Sequence, residues 1–71
     1  MNSAKLTERQ EAIYLFVKEY ISGKGYSPSF REIASKFSMT VRGAQDHLVL
    51  IRKKGFIDYQ QGIARTIVIQ K

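Results

Sequence analysis

Through the first third of the chain the apolar residues recur at helical spacing. Ile13, Phe16, Val17, Tyr20 and Ile21 stand at i, i+3, i+4, i+7 and i+8, the stripe of a helix with one buried face. The pattern predicts a helix over 8–22. Thr7 and Gln10 precede it with T-x-x-Q spacing, in which two side chains reciprocally satisfy free backbone donors at a helix start. Leu6 stands just before, placed for a weak hydrophobic staple against Glu11 or Ala12. Gly23-Lys24-Gly25 supplies the stop, because two glycines so close together break helices. Residues 1–6 carry no such pattern and read as a short, poorly ordered lead-in.

A second helical pattern follows a sharp boundary. Pro28 disfavours helix at Ser27, and Ser29 with Glu32 forms an S-x-x-E capping box. Ile33, Ala34 and Phe37 then share one face. Ser38-Met39-Thr40 interrupts the run, and Thr40 is suited to cap a third, longer helix. Val41, Ala44, Leu48 and Ile51 are its predicted inner face. Arg52, Lys53 and Lys54 complement the helix dipole in the last turn, and Gly55 can take the left-handed cap conformation. Two helices joined by so short a turn make a helix-turn-helix.

After Gly55 the period changes. Phe56-Ile57-Asp58-Tyr59 and Thr66-Ile67-Val68-Ile69 are β-branched and aromatic, separated by the polar, glycine-containing stretch Gln60–Arg65. Two such runs across a short loop predict a β-hairpin. The predicted fold is therefore mainly α with a small antiparallel hairpin: a winged helix-turn-helix of three helices plus a C-terminal wing, with 1–71 as one domain.

Composition narrows the chemistry. There are 71 residues and no cysteine, so no disulfide framework, thiolate nucleophile or Cys-based zinc site is available. The one histidine cannot build a metal centre alone. No apolar run approaches the ~20 residues of a membrane span, and the first ten residues lack the apolar core of a signal peptide. A cytoplasmic protein without cofactor, metal or membrane partner is the plain reading. Twelve Lys and Arg against six Asp and Glu leave a net charge of +6, which favours a polyanionic partner through Coulomb attraction and counterion release.

With Val41, Ala44, Leu48 and Ile51 turned inward, Arg42, Asp46, Val49 and Lys53 point outward, flanked by Gly43 and Gln45 near the helix start. Recognition helices read bases mainly with their N-terminal residues, so Arg42, Gly43, Gln45 and Asp46 are the base-reading candidates. Arg42 can donate two parallel bonds to guanine O6 and N7, Gln45 can pair with adenine, and Asp46 can accept from cytosine N4. The plainer alternatives are a phosphate contact or solvated side chain for Arg42, exposed surface for Gln45, and an i, i+4 ion pair to Arg42 for Asp46. Gly43 in a first helical turn suggests close backbone approach to DNA. Ser29, Arg31, Lys53, Lys54 and Arg65 are the backbone-contact candidates, with Arg65 foremost because a hairpin would project it. His47, beside Leu48, has no nucleophile or second ligand and reads as structural. The tyrosines and phenylalanines read as core and rim packing.

Specific strings go further. Leu6–Gln10 (LTERQ), Gly25–Phe37 (GYSPSFREIASKF), Val41–Leu48 (VRGAQDHL), Lys53–Ile57 (KKGFI) and Ala64–Ile69 (ARTIVI) resemble, in this order and spacing, the N-terminal DNA-binding domain of the LexA family, bacterial SOS-response repressors. The resemblance implies a sequence-specific repressor that places one winged domain on each half-site of a palindromic double-stranded operator. It also matches Thr40, Arg42, Gly43, Gln45 and Asp46 to the family's operator-contacting positions. The family's second domain, with its self-cleaving Ser-Lys dyad and dimer contact, has no counterpart in this chain. The chain is expected to be either the DNA-binding part of a longer repressor or a stand-alone relative. It is expected to be a monomer alone, pairing on DNA or through that further domain. The turn 38–42 is shorter than in some members and lacks their proline, which leaves the operator open. The rival reading is a winged-helix protein-interaction module with only generic nucleic-acid affinity.

Overall fold

The computed structural model describes residues 5–71; the first four residues of the lead-in predicted over 1–6 lie outside them. Helix α1 runs Glu8–Lys24, α2 Phe30–Lys36 and α3 Val41–Lys53. Two short strands follow, β1 at Ile57–Asp58 and β2 at Val68–Ile69. They pair antiparallel with Ile57 opposite Ile69 and Asp58 opposite Val68. Three helices and a C-terminal hairpin form a winged helix-turn-helix.

Each helix begins as the local chemistry dictates. Thr7 Oγ1 accepts from the Gln10 N–H while Gln10 Oε1 accepts from the Thr7 N–H. Ser29 and Glu32 repeat the exchange at α2, and Thr40 Oγ1 accepts from the Gly43 N–H at 3.0 Å. Such caps are worth about 1 kcal/mol each. The glycine stop of α1 acts later than predicted: the helix continues through Gly23 to Lys24, and only Gly25, at φ 82°, turns left-handed. One glycine in a last turn is tolerated; a left-handed residue is what ends the hydrogen-bond ladder.

The two later helix ends share one device. Beyond α3, the Gly55 N–H bonds Arg52 O at 2.9 Å and the Phe56 N–H bonds Ile51 O at 3.3 Å, the paired bonds of a Schellman motif with Gly55 at φ 86°. Beyond α2, the Ser38 N–H bonds Ser35 O and the Met39 N–H bonds Ala34 O, but the left-handed residue here is Ser38, at φ 55°. A residue with a Cβ is strained in that conformation by roughly 1–2 kcal/mol.

The core collects Ile13, Tyr14 and Val17 from α1, Ile33 and Ala34 from α2, and Ala44, Leu48 and Ile51 from α3. Ile57, Tyr59 and Ile67 close it from the hairpin. Phe16 and Phe37 meet edge to face at 5.8 Å on the rim, as do Phe30 and Tyr59 at 5.2 Å. Tyr14 widens the α1 stripe beyond the predicted set, and its hydroxyl donates to Lys71 O at 2.7 Å. Leu6 packs against the core and Lys5 O accepts from Lys54 Nζ at 2.7 Å, so these two residues are tied down rather than a loose lead-in. Val41 corrects the predicted inner face: it is 43% exposed. As the first residue of α3 it stands beyond the packed turn, and the inward stripe begins at Ala44.

The hairpin is shorter than its predicted runs because side chains replace part of the ladder. Asp58 Oδ1 accepts from the Tyr59 N–H, and Thr66 Oγ1 accepts from the Gln60 N–H. Thr66 also donates to Ile63 O at 3.0 Å, which braces the wing loop internally.

Candidate nucleic-acid interface

Cap geometry and core packing together decide what α3 presents. Ala44, Leu48 and Ile51 are fully buried, which leaves the first two turns standing clear of the protein on their other side. Arg42 is 84% exposed there, and its Nε lies 3.6 Å from Asp46 Oδ1 one turn on. This is the i, i+4 pair foreseen as the plainer role of Asp46, and at such exposure it holds Arg42 only weakly. Thr40 keeps its hydroxyl hydrogen, since its oxygen serves the cap as acceptor only. A Cβ added at Gly43 would come 3.2 Å from Thr40 Oγ1, so glycine also leaves room for the cap.

Beside this surface runs an open groove of about 440 Å³ between α3, the start of α2 and the wing loop. Val41 and Gln45 form one wall, Ser29 and Arg31 stand at the α2 end, and Gln60–Ala64 forms the other wall. The groove thus joins Gln45 to Ser29 and Arg31, while Thr40, Arg42, Gly43 and Asp46 stand with Gln45 on the cap and first turns of α3. Lys53, also exposed, lies about 16 Å further along α3 at 1.5 Å per residue. The wing residues Gln60, Gln61 and Ile63 were missed in the sequence, where a polar glycine loop looked like a plain connection. Ile63, an aliphatic residue with nothing to pack on inside a hairpin turn and 58% exposed, was the available signal.

Two backbone-contact candidates are turned elsewhere. The hairpin does not project Arg65; it folds the side chain back over α2. Its Nη1 donates to Glu32 Oε1 at 3.0 Å and to Ser27 O at 3.2 Å, and its Nη2 to Glu32 Oε2 at 2.8 Å. The side chain reaches these partners from a residue at φ 61°. The Arg65 fork, the Ser29 N–H and the Tyr20 hydroxyl converge on Glu32 and hold its carboxyl at about 2, well below the ordinary 4.5. Glu32 reciprocally holds the guanidinium above its already high value. Lys54 Nζ reaches Gln10 Oε1 at 2.9 Å and Lys5 O, bracing the start of α1. Arg52 fixes the wing from the other side, with Nε 2.9 Å from Asp58 Oδ1 and its guanidinium over the Tyr59 ring.

His47 is half-buried and its Nδ1 meets no hydrogen-bond partner among the described residues. Among the described residues no group of three His, Asp or Glu is placed to hold a metal ion, and no helix is long and apolar enough to cross a membrane.

Fold and exposed helix define a winged helix-turn-helix whose third helix is free to be presented to a partner. The family model described as LexA DNA binding domain matches residues 3–66. The LexA repressor of Thermotoga maritima is 48% identical over 66 residues, covering 93% of this chain and 34% of that protein. Those of Thermosipho melanesiensis and Leptospira biflexa are 45% and 39% identical, again over 94% and 93% of this chain. The chain belongs to the LexA DNA-binding domain family. It spans about a third of the length of these relatives.

Proposed function

We propose that this domain is the operator-reading part of a transcriptional repressor, binding double-stranded DNA sequence-specifically without enzymatic activity of its own. Helix α3 enters the major groove, the wing lies along the backbone, and one domain occupies each half-site of a palindrome. The observation that carries the reading is the exposed, polar first half of α3 flanked by a groove that the wing completes. Thr40, Arg42, Gly43, Gln45 and Asp46 read bases. Ser29, Arg31 and Lys53 contact phosphates, while Lys54 and Arg65 chiefly hold the domain's own parts in register. The domain is a monomer alone and pairs on DNA or through further parts of a longer repressor. Leu50, 45% exposed on α3, is what favours the interaction-module reading; single exposed leucines are ordinary on protein surfaces.

The test is selection of binding sites from a random duplex library at physiological salt. Enrichment of an inverted repeat is the expected result and gives the half-site spacing. A library that returns unenriched, together with capture of a protein partner by the same domain, would replace this reading with the interaction module.

A further inference from the structure

Val41 is an aliphatic residue in a place where neither folding nor solubility asks for one. It is the first residue of α3, where a β-branched side chain has no propensity advantage. The core does not hold it, since 43% of it remains exposed. It lines the groove together with Gln45, one helical turn further on, and residues at that spacing stand about 5–6 Å apart at Cβ. An amide and a branched aliphatic group so placed can reach neighbouring base pairs in one major groove.

We infer that Val41 is a specificity-determining residue that reads the 5-methyl group of a thymine, on the base step adjacent to the pair addressed by Gln45. The 5-methyl is the one apolar feature in the major-groove pattern of the four bases, and an apolar side chain is its natural complement. An amide such as Gln45 pairs with adenine N6 and N7, so the step the two residues select together contains adenine and thymine on adjacent pairs. The inference rests on the operator-reading function proposed above.

It is tested on the selected site by replacing each thymine singly with deoxyuridine, which removes only the methyl group. Binding is measured for the native domain and for Val41→Ala, with Val41→Thr as a variant of the same shape. Burying one methyl changes affinity by roughly fourfold. One thymine position should therefore weaken binding of the native domain by about that factor on loss of its methyl, and Val41→Ala should show no further loss there. Because 43% of Val41 is exposed, both variants should stay folded at the measuring temperature, which melting curves check, and Val41→Thr, which keeps one methyl in nearly the same shape, should retain sensitivity at that same thymine. A site with no methyl-sensitive thymine, or methyl sensitivity that persists at full size in Val41→Ala, overturns the inference while leaving the operator-reading function standing. Absence of any enriched site overturns that function, and the inference with it.

Discussion

Single residues in this domain carry either strain or charge that can be removed cleanly. Ser38 closes the α2 Schellman motif at φ 55°, is exposed, and makes no side-chain hydrogen bond among the described residues. Ser38→Gly should relieve about 1 kcal/mol of the left-handed penalty. In a domain of this size that raises the melting temperature by about 4–8 °C, and an unchanged or lower value would mean that the freedom glycine adds to the unfolded chain outweighs the strain relieved. Calorimetry checks this directly. Glu32 is the charged counterpart. Its folded value near 2 lies below the ordinary 4.5, so the carboxylate's contribution to stability is present above about 4.5 and disappears as pH falls towards about 2. Acid titration followed by circular dichroism should show part of the native domain's stability lost in that window. In Arg65→Ala the loss within the window should be smaller, because the first cause of the depressed value is gone. The hub was invisible in the sequence: Glu32 and Arg65 lie 33 residues apart, and only the Ser29 exchange, being local, could be read in advance.

At the scale of elements, what was legible followed locality. Caps at Thr7, Ser29 and Thr40 and the glycine at Gly55 involve partners three or four residues away, and sequence spacing fixes them. The hairpin was legible as two runs but not as two-residue strands, because Asp58 and Thr66 substitute for ladder bonds in a way no period records. Val41 shows how periodicity misleads at a helix end: it continues the apolar stripe in sequence, yet the packed contact has not begun. The two groups give distinct predictions. Leu48→Ala removes a fully buried side chain and should cost roughly 2–5 kcal/mol, a large share of the 5–15 kcal/mol typical of a whole domain. Thr40→Ala removes only the α3 cap and should cost about 1 kcal/mol. Urea denaturation separates them, and equal losses would mean that α3 is held by its start rather than by its packed face.

For the molecule as a whole, the net charge of +6 favours a polyanionic partner, and on the function proposed above the number of phosphates contacted sets the salt dependence while α3 and the wing set selectivity. Arg31→Ala and Lys53→Ala should each weaken operator and random duplex alike. Each should also reduce the slope of log affinity against log salt by about 0.9, the effect of one phosphate contact. Arg65→Ala should instead act through stability and wing placement, since its guanidinium serves Glu32 and Ser27. The central claim is that bases are read from the first turns of α3, and Arg42 tests it most directly. Dissociation constants for the selected site and for a scrambled duplex, measured at one salt concentration with native domain and Arg42→Ala, give two specificity ratios. A bidentate contact to guanine is worth roughly 1–3 kcal/mol of discrimination, so the ratio should fall by about 5- to 150-fold in the variant, with the loss confined to one or two base positions. Equal weakening on both duplexes, with the ratio unchanged, would reduce Arg42 to a phosphate contact and contradict the account.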